Sequence, residues 1–157
     1  MESREAKRSG LDLLETAETA FVTTIDAEGF PQSRAMFNLR RKEQFKNLAV
    51  VFKDHMDDFL VYFTTNTSSP KVMQIKQNPK VSIYYCDPRT FRGLMLSGEM
   101  EVVTDPGEKE RIWQKGWEMY YPDGVHDPDH TVLRLRPIAA KYYQDLYSFF
   151  IELKGGK

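Results

Sequence analysis

Between Phe63 and Ile75 the chain reads Phe-Thr-Thr-Asn-Thr-Ser-Ser-Pro-Lys-Val-Met-Gln-Ile, an apolar run that gives way to six hydroxyl or amide side chains and then to a helix-forming stretch. Those are the donors of a phosphate pocket. Ser69 is a good N-cap and Pro70 suits the first helical position, so backbone N–H groups at the positive end of a helix are expected to face the ligand. Lys71 adds a mobile positive charge beside them. The same residues would also serve an ordinary capped helix after a strand, and the segment alone does not separate the two.

Other chemistry is poorly represented. His126 and His130 lie four apart with Asp127 and Asp129 between them, but Pro128 breaks the helix that would put the pair on one face, and no metal site is expected. His55 sits in a charged stretch and reads as solvated. No Ser-His-Asp set, zinc spacing or Gly-rich phosphate loop occurs. The single cysteine, Cys86, cannot form an intrachain disulfide; it reads as a small buried hydrophobe, and its isolation points to a reducing cytoplasm. With 157 residues the chain suits one domain, 1–157, with a real core. A net charge of −1 without a basic block argues against a nucleic-acid surface. The mean hydropathy of −0.55, with no apolar run near about twenty residues, argues against a membrane span. The charged start Met1-Glu-Ser-Arg-Glu-Ala-Lys-Arg lacks the apolar core of a signal peptide.

Several elements must position the polar loop. Leu11, Leu14, Ala17 and Ala20 recur at helical spacing, which predicts a helix over 5–20. The β-branched run Phe21–Ile25, the turn Asp26-Ala-Glu-Gly29 and a strand from Gln32 to Leu39, entered through Pro31, form a hairpin. Residues 40–58 read as a long loop with a short strand near Leu48–Phe52. A strand from Phe59 to Thr64 delivers the polar loop and a helix over about 70–78, which Asn78-Pro79 ends. Strands follow over Val81–Cys86 and Leu94–Val103, with a bulge expected at Gly98. Asp105-Pro106-Gly107 opens a second helix carrying Ile112, Trp113, Gly116, Trp117 and Tyr120, with both tryptophans on one face. Thr131–Arg136 alternates as a half-exposed strand, Tyr142-Tyr143 ends another, and Leu146–Leu153 is either a strand or a docking tail. So many short strands indicate a small, closed or partly closed barrel with flanking helices.

The runs Ser33-Arg34-Ala35-Met36, Phe63 to Lys71, Gln74-Ile75, Asn78-Pro-Lys-Val-Ser82 and Gly98-Glu-Met-Glu101 stand in the order and spacing of a known family. Over about Phe21 to Tyr143 the chain resembles flavin-binding proteins related to pyridoxamine 5′-phosphate oxidase, and most of all their small general-stress branch. The resemblance implies a mainly β fold, a six-stranded antiparallel split barrel over about 21–143, preceded by a helix and followed by a tail over 144–157. It implies FMN, with FAD, F420 or haem as the alternatives found in related barrels. It also implies that Arg34 and Lys71 hold the phosphate with Thr65 and Ser69 in the same pocket, and that Ala35, Met36, Phe63 and Thr64 follow the isoalloxazine edge. Family members are two-fold dimers with flavin between subunits, which would bring Arg92 to the partner's cofactor; Trp117 and Tyr143 are further candidates for ring contacts. Leu39 stands where the oxidase has a phosphate-binding lysine, Pro70 replaces an arginine and Gly93 a flavin-contacting glutamine. The oxidase's C-terminal Arg-x-His motif is absent, so pyridoxal phosphate synthesis is not expected. Two functions remain: an FMN-dependent oxidoreductase of unspecified small-molecule substrate, with NAD(P)H a possible donor, or a flavin carrier or stress sensor without turnover. Because the cofactor carries the redox chemistry, the first needs no catalytic acid or base in the sequence.

Overall fold

Alternation of side chains builds the barrel. β1 (Thr19–Ile25) buries Ala20, Val22 and Thr24 and turns Phe21 outward. Asp26 then closes the hairpin by accepting from the N–H groups of Glu28 and Phe30, both at 2.9 Å. Gly29 supplies the left-handed φ of 86° that this turn needs. β2 (Pro31–Phe37) returns antiparallel. β3 (Val61–Asn66), β4 (Lys80–Asp87) and the twelve-residue β5 (Arg92–Val103) follow, then β6 (His130–Leu135), β7 (Ala139–Gln144) and β8 (Tyr147–Ile151). In the computed structural model, which describes residues 1–153, these eight strands form one antiparallel sheet. Six of them follow the path β2-β1-β4-β5-β6-β3, and the β7–β8 hairpin branches from β5. The sheet curls until β2 and β3, its two ends, face each other without a ladder between them, which is the split of the barrel.

The interior is filled by alternate residues of every strand on the path except β2, among them Val22, Phe63, Ile83, Leu94, Leu96 and Leu133. Helix α1 (Ser3–Thr16) adds Ala6, Leu13 and Leu14 to the same core. It ends four residues before the predicted limit, because Ala17 is extended and Ala20 is claimed by the inward face of β1. No helix of the described residues is long and apolar enough to cross a membrane.

Three other expectations are corrected, and one left open is decided. Residues 40–58 contain no strand; they form helical turns over Lys46–Leu48, α2 (Ala49–Phe52) and Lys53–His55. Phe45, Leu48 and Phe52 recur at helical rather than strand spacing, and they pack with Leu60 and Tyr62 on the outer face of β3. Gly98 makes no bulge, since the β4–β5 register is unbroken from Lys80↔Glu99 to Asp87↔Arg92. Its value is close approach: a β-carbon there would lie 3.0 Å from Leu135 Cδ1 and 3.3 Å from both the Arg136 carbonyl oxygen and Pro137 Cα. Helix α4 (Pro106–Ile112) stops before the tryptophans, because Trp113 is extended and Gly116 is left-handed at φ 99°. Trp113 and Trp117 nevertheless meet edge to face with centroids 5.8 Å apart, across a turn instead of along a helix. The tail is a strand: Asp145 (φ 51°) and Leu146 (φ 68°) turn β7 into β8, as a tight hairpin requires.

Arg40 ties the helical excursion to the barrel. Its side chain is 1% exposed, lies 3.7 Å from Glu15 and stacks its guanidinium 5.0 Å from the Phe52 ring centroid. It donates to the carbonyl oxygens of Asp58 (2.8 Å), Leu60 (3.0 Å) and His55 (3.0 Å). Arg40→Ala strands those acceptors and a carboxylate, so unfolding free energy is expected to fall by about 3–5 kcal/mol. A loss below about 1 kcal/mol in denaturant titration would contradict this role.

Candidate functional site

The open seam between β2 and β3 is a cleft of about 630 Å³, within the usual size range for a cofactor or small-molecule site. One wall is Ala35, Met36 and Phe37 of β2, and the other is Thr64, Thr65 and Asn66 of β3. Trp117, Tyr120 and Tyr121 cover it from the α4–β6 connection. Both strands reach the seam with an unpaired edge, so their backbone N–H and C=O groups are open to a ligand.

At one end two cations converge. Helix α3 (Pro70–Gln77) starts at Ser69, whose hydroxyl caps it by accepting from the Lys71 N–H. Lys71 Nζ turns back to donate to Thr65 Oγ1 and Ser69 Oγ, each at 2.7 Å. Arg34, half-buried on β2, donates through Nη1 to Thr24 Oγ1 (2.7 Å), the Gln32 carbonyl (2.8 Å) and the Val22 carbonyl (3.3 Å). Its Nη2 donates to Gln74 Oε1 at 3.3 Å, and the Thr24 hydroxyl donates to the same oxygen. Burial lowers the pKa of both cations, and Arg34 lowers that of Lys71 further. Among the described residues neither forms a salt bridge with a carboxylate. Two half-buried cations, one lowering the pKa of the other, that lean on neutral oxygens have the chemistry to take an anion.

Of the residues singled out in the sequence, Ala35, Met36, Thr64, Thr65, Lys71 and Trp117 line the cleft, with Arg34 and Ser69 beside Lys71. The Phe63 ring lies in the core, on the same face of β3 as Val61. Arg92 and Tyr143 lie outside the cleft: Arg92 is 3.9 Å from Asp12 and 3.8 Å from Asp87, and Tyr143 packs edge to face on Tyr84 at 6.3 Å. Tyr84 covers Gly93, in the space a β-carbon would need.

The backbone donors expected of the polar loop are already used. Thr67 N–H donates to the Asp129 carbonyl, Ser68 N–H to the Asp129 carboxylate and Ser69 N–H to the Asn66 carbonyl. Anion binding therefore falls to side chains. Asp129 serves as the anchor of this loop, which was hidden because it lies 61 residues away. Gln74 and Thr24 complete the Arg34 network. Gln74, one helical turn after Lys71, was findable from spacing; Tyr120, Tyr121, Arg41 and Gln44 reach the cleft from turns that carry no such pattern.

The architecture is that of an antiparallel split barrel with two cations converging at its seam. The sequence profile described as pyridoxamine 5′-phosphate oxidase matches residues 9–144, and the chain belongs to that family. Flavin nucleotides are the usual ligands of its fold. Among solved structures, the chain is 29% identical to a Clostridium acetobutylicum protein related to general stress protein 26 of B. subtilis, of the pyridoxinephosphate oxidase family, covering 100% of both chains at a TM-score of 0.76. General stress protein 26 from Bacillus anthracis str. Sterne is 16% identical, with 96% of this chain and 100% of that one covered at a TM-score of 0.65. A heme binding protein from Mycobacterium smegmatis shares the fold at 12% identity and a TM-score of 0.64, over 97% of this chain and 58% of that one. No curated protein is detectably similar in sequence.

The lowered Lys71 pKa gives anion binding a pH signature. In the free protein the ammonium titrates below its ordinary 10.5, and a bound dianion raises that value. Between the two values binding takes up a proton, so phosphate affinity is expected to fall as pH rises through the free-protein pKa. Calorimetry of inorganic phosphate in buffers of different ionisation heat reads this directly. Heats independent of buffer throughout the alkaline range below 10.5 would contradict it.

Proposed function

We propose that the chain binds FMN, one per subunit, along the β2–β3 seam, and that the loaded protein is an oxidoreductase acting on a small molecule. The observation that carries this reading is the Arg34–Lys71 pair, two cations held together without a carboxylate. Arg34 and Lys71 bind the phosphate, and Thr65 and Ser69 orient the ammonium by accepting its other protons. Ala35, Met36 and Thr64 border the ring, and Trp117 limits water access from above. Bound FMN supplies the electron or hydride transfer, and the protein's part is to bind, orient and shield it.

Several observations narrow the alternatives. The cleft lining contains no histidine or cysteine, the common haem ligands, which favours flavin over haem. Leu39 is buried at 2% exposure and replaces the oxidase's lysine, and the C-terminal segment is committed to β8, so oxidation of pyridoxamine 5′-phosphate is no part of this proposal. The absorption spectrum of the protein as purified separates FMN from F420, and an NADH oxidation assay on the loaded protein separates an enzyme from a carrier.

Lys71→Ala removes a charge-assisted phosphate contact of roughly 1.5–3 kcal/mol, so FMN affinity is expected to fall about ten- to a hundredfold. Riboflavin, which has no phosphate, is expected to bind both proteins alike. An equal loss for the two ligands in equilibrium dialysis would remove the phosphate from this pocket.

The proposal extends to a homodimer. Outward side chains of paired positions form one row, Ala35, Phe21, Tyr84, Met95, Lys141 and Phe150, across five consecutive strand pairings. Phe21, Tyr84 and Phe150 are exposed, and Ala35 is also a wall of the cleft, so a second copy seated on the row would border the ligand. Tyr143 lies on this same face, next to Tyr84. Tyr84→Asp is expected to give a monomer by light scattering at micromolar concentration and to release FMN together with the partner. Wild-type protein that is already monomeric would refute the dimer.

A further inference from the structure

The far end of the cleft holds another cation that the phosphate site leaves unused. Arg34 stands at the middle of β2, Phe37 ends the strand roughly 10 Å further on, and Arg41 follows in the next turn. Arg41 lines the cleft with Glu18, Thr19 and Gln44 and takes no part in the hydrogen-bond network of Arg34 and Lys71.

The state of its side chain is unusual. Arg41 is only 24% exposed, and its guanidinium makes no hydrogen bond among the described residues. Its Nε is buried with no partner. Its Nη2 lies 3.9 Å from a Glu18 carboxylate oxygen and 3.8 Å from a Glu43 one, beyond hydrogen-bond range. Those carboxylates are 83% and 86% exposed and are free to swing into water. The adjacent Arg40 has the opposite character, with both terminal nitrogens committed to carbonyl oxygens.

The backbone beneath Arg41 is fixed. Its N–H donates to the Asn38 carbonyl at 3.0 Å, and its own carbonyl accepts from Gln44 and Phe45. Asn38 is buried and donates its amide to the carbonyl oxygens of Leu14 (2.7 Å) and Ala17 (2.9 Å). A planar five-donor group thus lines the cleft without hydrogen-bonding partners, and the exposed rings of Phe37 and Tyr120 belong to the same lining.

We propose that Arg41 forms a second anion subsite, which takes the carboxylate or phosphate of a planar small molecule lying in the cleft beside the bound flavin. The subsite rests on the flavin reading for the role of its ligand, and on its own geometry for the ligand's charge. Binding displaces the loose contacts to Glu18 and Glu43 and replaces them with paired N–H···O bonds, which a guanidinium makes to either anion. Gln44 offers an amide donor beside it.

Benzoate and phenyl phosphate are the probes, and benzamide is the neutral control. Each is titrated into wild type, Arg41→Gln and Arg41→Lys, with and without FMN, and followed by calorimetry and by flavin absorption. Wild type is expected to prefer at least one anion over benzamide by about tenfold or more. Arg41→Gln is expected to lose that preference and Arg41→Lys to recover part of it, with FMN affinity equal in all three proteins. Equal binding of anions and amide by wild type, or a preference that survives in Arg41→Gln, overturns the proposal. So does a loss of FMN affinity in Arg41→Gln that matches the loss for the probe, since it assigns the guanidinium to the cofactor. An Arg41-dependent preference in wild type that takes up no FMN supports the subsite and refutes the flavin reading instead.

Discussion

A β-strand has two hydrogen-bonding edges, and β5 uses them for three partners. β4 occupies one edge along the whole overlap, while the other is divided between β7 over Gly93–Ser97 and β6 over Met100–Val103. Two strands can leave the same edge in different directions only if the backbone comes close where they part, and Gly98 sits there against Leu135, Arg136 and Pro137. The divergence sends β6 and then β3 around to face β2, and it sends β7 and β8 to pack against helix α1 through Ala140, Tyr142 and Ile151. Both the seam and the apolar row on the outside follow from that parting of strands.

Local patterns made much of this legible in the sequence. The β1–β2 hairpin, the Ser69-Pro70 helix start and the Asn78-Pro79 stop rest on residues a few positions apart, and the structure keeps them. The Arg34 and Lys71 convergence needed the family resemblance, because β2 and β3 are neighbours only across an unpaired seam. Errors arose where distant contacts outweigh local preference. The segment around Leu48–Phe52 has β-branched Val50 and Val51, yet the outer face of β3 selects the helical spacing of its larger side chains. The tryptophan face failed because Gly116 takes a left-handed conformation that no helix continues.

The paired cations of the seam are held in place before a ligand arrives. Lys71 rests on two hydroxyls and Arg34 on carbonyl, hydroxyl and amide oxygens, so these side chains are already ordered. An arriving anion loses little side-chain entropy there. The coupling of Arg34 to Gln74, and of the Thr67–Ser69 loop to Asp129, means that β1, β2, β3, α3 and the β6 approach share a single anchored region. Ordered donors near an open backbone edge make the seam a rigid receptor in place of a flexible flap.

Away from the seam, β8 is a free margin of the sheet, pairing only with β7 among the described residues. Such a margin is a template on which identical strands can stack without limit, and this one displays Tyr147 and Phe150 to solvent. The Lys141 ammonium lies 4.9 Å over the Phe150 ring, so its charge accompanies one of the two exposed aromatic rings of that margin. Each further strand added to a growing ribbon would have to bury that ammonium or align it with its copies. A single lysine thus acts as a gatekeeper against fibre growth from this margin.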